Sequence, residues 1–91
     1  MSLHPDIQHV MDRIGAPTNP AEAAIVAQLT QLGIEYGRHV ANGTLALEEV
    51  AQGKPTSYAT WRLCTGELIR ILGQANAFAT AVGIYRTQGE L

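Results

Sequence analysis

Ninety-one residues with a formal net charge of −2, of which 46% are hydrophobic and only 15% charged, make one domain, 1–91, with a real but marginal core. The six basic residues are scattered singly, so there is no cationic run to meet a phosphate backbone or anionic lipid. One cysteine excludes an internal disulfide, no apolar run reaches the length of a bilayer span, and no secretory signal opens the chain, so a cytoplasmic protein away from membranes is expected.

In chain order, His4-Pro5-Asp6 opens a first helix, with proline suited to its first position and aspartate to its first turn. Ile7, Val10, Met11 and Ile14 follow the i, i+3, i+4, i+7 rule, and Gly15 ends the helix. After a turn, Asn19, Pro20 and Glu22 form the strongest local signal in the chain: a capping acceptor, a proline at the first position, and a carboxylate three residues on that can reach back. This second helix is expected to run to about Ala41, with Asn42-Gly43 as its stop. Its main stripe is Ile25, Leu29, Leu32, Tyr36 and Val40, and small residues flank it, so polar side chains keep only a narrow band. A helix of that kind is enclosed on two sides. Thr44 then caps a short third helix, Leu45 to Gln52, and Gly53-Lys54-Pro55 turns the chain.

The fourth helix, Ser57 to Arg86, holds the only Trp, Phe and Cys. From Trp61 its apolar residues fall seven apart twice over, as Trp61, Leu68, Ala75, Val82 and as Cys64, Ile71, Phe78, Tyr85, an a/d seam for packing lengthwise on other helices. Its apolar arc spans roughly 200°, about twice what a surface helix needs. Gly66, Gly73 and Gly83 each cost about 1 kcal/mol relative to Ala, which burial of the large seam residues outweighs at roughly 1.5–3 kcal/mol apiece. These glycines mark places where another backbone comes close, or a break at Gly73. At a rise of about 1.5 Å per residue the helix is roughly 45 Å long, whereas a compact sphere of this chain is about 31 Å across. A break, an elongated monomer or a second chain would each resolve the mismatch, and the second chain is the expected one.

No constellation of residues points to chemistry. Metal binding needs convergent ligands, but Glu35 and His39 stand four apart, His9 and Asp12 three apart, and the spacing of a helical di-iron site is missing. Cys64 lies on the seam with no base near it in sequence, and no glycine-rich phosphate loop is present. Neither cofactor nor catalysis is expected. Small residues four apart, Gly33, Gly37, Ala41 and Ala75, Ala79, Gly83, are candidates to face one another. Residues 44–70 have the outline of a helix-turn-helix, with Lys54, Thr56, Ser57, Tyr58, Thr60 and Arg62 available to phosphates. The turn is about two residues short for that motif, and Glu48, Glu49 and Glu67 flank it.

The sequence therefore reads as an all-α, four-helix domain. The long second and fourth helices pack antiparallel, and the short first and third close one end. The expected function is a non-enzymatic protein–protein interaction module (an adaptor, inhibitor or regulatory accessory protein) acting as a homodimer and meeting a further protein partner. Trp61, Leu68, Ile71, Phe78 and Tyr85 are its expected interface anchors. The alternative is a helix-turn-helix DNA-binding regulator using 44–70, although nucleic acid is not the expected partner.

Overall fold

The structure, a computed structural model, describes residues 3–88. Three helices account for nearly all of them: α1 (Pro5–Ile14), α2 (Pro20–Ala51) and α3 (Ser57–Gln88). No strand is present among the described residues, and none of their helices is long and apolar enough to cross a membrane. Fraying is expected from Thr87 to the C-terminus, but Thr87 and Gln88 belong to α3, and residues 89–91 lie outside the described residues.

The first two helix starts follow their local signals. His4 caps α1 through its ring nitrogen Nδ1, which accepts from the Asp6 N–H at 3.2 Å, and Pro5 takes the first position. Gly15 ends α1 at φ 72°, a left-handed conformation that suits glycine. Asn19 Oδ1 accepts from the Glu22 N–H at 2.9 Å, while the Glu22 carboxylate accepts from the Thr18 N–H at 3.0 Å.

Four helices were expected and three are found. Asn42-Gly43 does not stop the second helix, and the separate third helix is the C-terminal part of α2. Gly43 serves packing rather than termination. It is buried and keeps a negative φ, and a Cβ built on it would stand 3.3 Å from the Cys64 Cβ across the helix pair. Thr44 is no cap either, because its hydroxyl donates back to the Val40 carbonyl at 2.8 Å, one turn earlier in the same helix. The true stop is Gly53, at φ 92°. Its N–H bonds the Val50 carbonyl at 3.0 Å and the Lys54 N–H bonds the Glu49 carbonyl at 2.9 Å, the paired closure of a Schellman motif.

The fourth predicted helix is α3, unbroken through Gly73. It runs antiparallel to α2 along its whole length: Ser57 meets Glu49, Cys64 meets Gly43, Arg70 reaches Glu35 and Arg86 reaches Glu22. The radius of gyration is 16.1 Å, against about 12 Å for a compact chain of this length, and the extents are 55 × 23 × 16 Å. The mismatch between rod and sphere is thus met by an elongated subunit.

Among the described residues only one end of this hairpin is covered, the end away from the turn, and α1 covers it. Its Ile7, Val10 and Ile14 join Leu29 and Tyr36 of α2 and Ile71, Ala75 and Val82 of α3 in one buried cluster. Ile7, Leu29, Ile71 and Val82 are fully enclosed, each worth about 1.5–3 kcal/mol of burial. Gly33 permits the approach: a Cβ there would lie 2.9 Å from Leu3 and 3.1 Å from Ile7. Gly33 therefore faces α1, and the two rows of small residues do not meet.

Polar locks secure both ends of α1. At its start the Tyr36 hydroxyl donates to Asp6 Oδ2 at 2.6 Å and the His4 ring stands edge-on to Tyr36 at 4.9 Å. Burial, reinforced by the Asp6 carboxylate, pushes the Tyr36 phenol up to about 12. At the other end the Arg86 guanidinium is engaged on several sides. It donates from Nε to Glu22 Oε2 at 2.9 Å, from Nη2 to Glu22 Oε1, and from Nη1 to the Ile14 carbonyl at 2.8 Å. Glu22 is fully enclosed, and hydrogen bonding by Arg86 holds its carboxyl down at about 2 against the opposing effect of burial. One side chain of α3 thus ties down the last carbonyl of α1 and the first turn of α2.

Candidate interaction surface at the bare end of the hairpin

Beyond α1 the hairpin continues toward its turn as two helices with none of the described residues over either side. Five of the seven large apolar residues that stand exposed among the described residues fall here: Leu45, Leu47, Tyr58, Leu63 and Ile69. Leu63 and Ile69 are 70% and 71% exposed, values no core position shows. An exposed apolar side chain is ordinary when alone, but a concentration of them marks a contact surface.

The two sides of this bare half differ chemically. On the side that carries α1, a groove runs between the helices over Val40, Thr44 and Leu47 of α2 and Trp61, Thr65 and Leu68 of α3. The His39 imidazole stands at its rim and the Cys64 thiol lies in its floor. Tyr58 extends the groove toward the turn, its ring 5.6 Å from that of Trp61. Both threonine hydroxyls are occupied within their own helices: Thr44 bonds Val40 and the Thr65 hydroxyl donates to the Trp61 carbonyl at 2.9 Å.

On the opposite side lies a cleft of 680 Å³ lined by Leu45 and Leu63 together with His39, Glu49, Ser57 and Glu67. Its carboxylates are already engaged. Ser57 donates to Glu49 at 3.0 Å, and Arg70 donates to Glu67 at 2.7 and 3.0 Å. These bonds from Arg70 hold the Glu67 carboxyl below its ordinary range.

The five expected anchors do not share one face. Ile71 is fully buried against the chain's own helices and offers no surface to a second molecule. Trp61 and Leu68 are half-buried in the groove on the α1 side. Phe78 lies half-buried at the opposite flank of the covered end, beside Gln28, Leu32 and Gln74. Tyr85, 43% exposed, stands near the C-terminal end of α3. The heptad seam is spent inside the subunit, where Cys64, Ile71, Ala75 and Val82 are the buried members. Exposed Leu45, Leu47, Leu63 and Ile69 were not among the expected anchors. The available signal was the breadth of the apolar arc on α3, wider than one neighbouring helix can cover.

Gly66, Gly73 and Gly83 have no atom of the chain outside their own helix surroundings within 4 Å of where a Cβ would stand, so no backbone of the subunit approaches them. No group of three His, Cys, Asp or Glu side chains that could hold a metal ion occurs among the described residues. Segment 44–70 forms the turn half of a straight antiparallel hairpin, whereas a helix-turn-helix sets its helices at about 90–120°.

The chain matches no family model, no curated protein and no solved structure. The surface must be read from its own chemistry.

Proposed function

We propose that this protein is a non-enzymatic interaction module that self-associates as a homodimer and presents a helical surface to a further protein. The observation that carries this reading is the unequal covering of one hairpin: α1 and the ion pair between enclosed Glu22 and Arg86 close one end, while the other leaves Leu45, Leu47, Tyr58, Leu63 and Ile69 exposed. The aliphatic side chains among them gain free energy by leaving water and have no role in proton or group transfer. Ser57 bonds Glu49, Arg70 bonds Glu67, and no buried side-chain polar atom among the described residues lacks a partner, which suits a scaffold rather than a reacting centre.

The hairpin geometry favours a protein partner over DNA. Lys54 and Arg62 lie exposed with Glu48 in the same half, on helices that run side by side rather than one crossing the other. Sedimentation of the full chain at about tens of micromolar tests the reading. A dimer is expected, and a clean monomer contradicts it.

A further inference from the structure

We propose that the groove on the α1 side of the turn half is filled by the same groove of a second copy, so that two turn halves form an antiparallel four-helix bundle with one α1 at each outer end. This rests on the self-association proposed above and commits it to one face and one orientation.

Continuity with an interface already present is the first support. α1 occupies the same side of the hairpin, and its seat passes without a step into the bare groove: Leu3 lies at Gly33, and the half-buried Val40 and Leu68 pack on the edge of the α1 core while also lining the groove. A helical occupant would extend the packing that α1 has begun.

The second support is that the two threonine hydroxyls of this groove can be covered without cost. The Thr44 and Thr65 hydroxyls have partners inside their own helices, so covering them orphans nothing. The opposite cleft lacks this quality. Two copies joined there would bring Glu49 and Glu67 of each chain toward those of the other, a like-charge arrangement that disfavours pairing.

Area is the third. The chain exposes 5828 Å² where a compact 9.8 kDa monomer exposes about 5,200 Å². The excess, about 600 Å², is spread over the whole elongated chain, and a standard interface takes roughly 800 Å² from each partner. The adjacent rings of Tyr58 and Trp61 supply the aromatic anchors such an interface concentrates.

Orientation follows from α1 itself. If both turns pointed the same way, each α1 would collide with the other across the interface. With the chains reversed, each turn half fits the length left open by the other chain's α1. The two-fold axis then passes at the level of Thr44 and Thr65, with α2 against α2, α3 against α3, and Trp61 of each chain over the Leu68 end of the other.

Two point variants of the full chain, compared by sedimentation, separate the faces. Leu47→Glu places a charge in the groove at a position 51% exposed in the subunit, so the fold tolerates it, and Leu63→Glu does the same in the opposite cleft. Leu47→Glu is expected to weaken dimerisation about tenfold or more and Leu63→Glu to leave it within about twofold. The reverse pattern overturns this face while self-association stands, and a monomeric parent chain overturns both. Thr44→Cys in a Cys64→Ala background should oxidise to a covalent dimer across the axis, and failure to cross-link under conditions where the chain is dimeric overturns the orientation.

Discussion

The two ends of this hairpin use the same pair of helices for opposite purposes. At the end away from the turn, α1 adds a third layer, Ile71 and Val82 are fully enclosed, and Arg86 joins Glu22 to the last carbonyl of α1. At the turn the hairpin is two helices thick, tied by a Schellman closure at Gly53 and a Ser57–Glu49 bond, with leucines in the open. Such a chain can leave apolar side chains in water at one end because the other end, and the continuous helices joining them, hold the backbone. A short cover does not have to enclose a whole domain if it anchors rods long enough to reach past it.

The sharpest way to break this comparison is to delete equal volume from each side of α3. Ile71→Ala, in the enclosed cluster, should cost about 2–5 kcal/mol in denaturant unfolding. Ile69→Ala, two residues away and 71% exposed, should stay within about 0.5 kcal/mol. Similar losses at both would remove the distinction between seam and open face.

Next comes the ion pair that locks the covered end. Because the Glu22 carboxyl is lowered from 4.5 to about 2 in the folded chain, its contribution is fully present above the unfolded value and lost as pH falls through the folded one. Stability should decline between about pH 5 and pH 2. Arg86→Ala should lower stability at neutral pH, flatten that acid dependence, and speed amide exchange in α1 before the turn half is affected. Unaltered α1 protection would contradict the role of Arg86 as a lock.

Glycines give the finest contrast. Gly33→Ala drives a methyl group toward Leu3 and Ile7 and should cost about 1–3 kcal/mol, loosening α1. Gly73→Ala meets no atom within 4 Å and should stabilise the chain by about 1 kcal/mol through helix propensity. Thermal unfolding reads both, and equal signs would contradict the assignment of one to a packed face and the other to an open one.

The sequence shows clearly what local chemistry determines and misses what distant contacts determine. His4-Pro5, Asn19-Pro20 and Gly15 mark helix ends because their capping groups act within a few residues. The seam from Cys64 to Val82 is visible as a heptad, and α3 is continuous through Gly73 as its periodicity implied. Gly43 misled because a glycine needed for close packing and one needed for a left-handed turn have the same letter; only Cys64, across the helix pair, distinguishes them. Arg86 stands 64 residues from Glu22, and no periodicity reports a pair so separated. Of the expected anchors, Trp61 and Leu68 line the candidate groove, but α1 and α2 had a prior claim on Ile71.

Trp61 is the chain's only tryptophan and lines the groove assigned to the second copy. Its emission across a dilution series therefore reports whether that groove is covered. Blue-shifted emission at about tens of micromolar that moves to the red on dilution, as the dimer dissociates, is predicted. Red-shifted, water-exposed emission at every concentration would contradict the claim that the bare end of the hairpin is where this protein meets its partner.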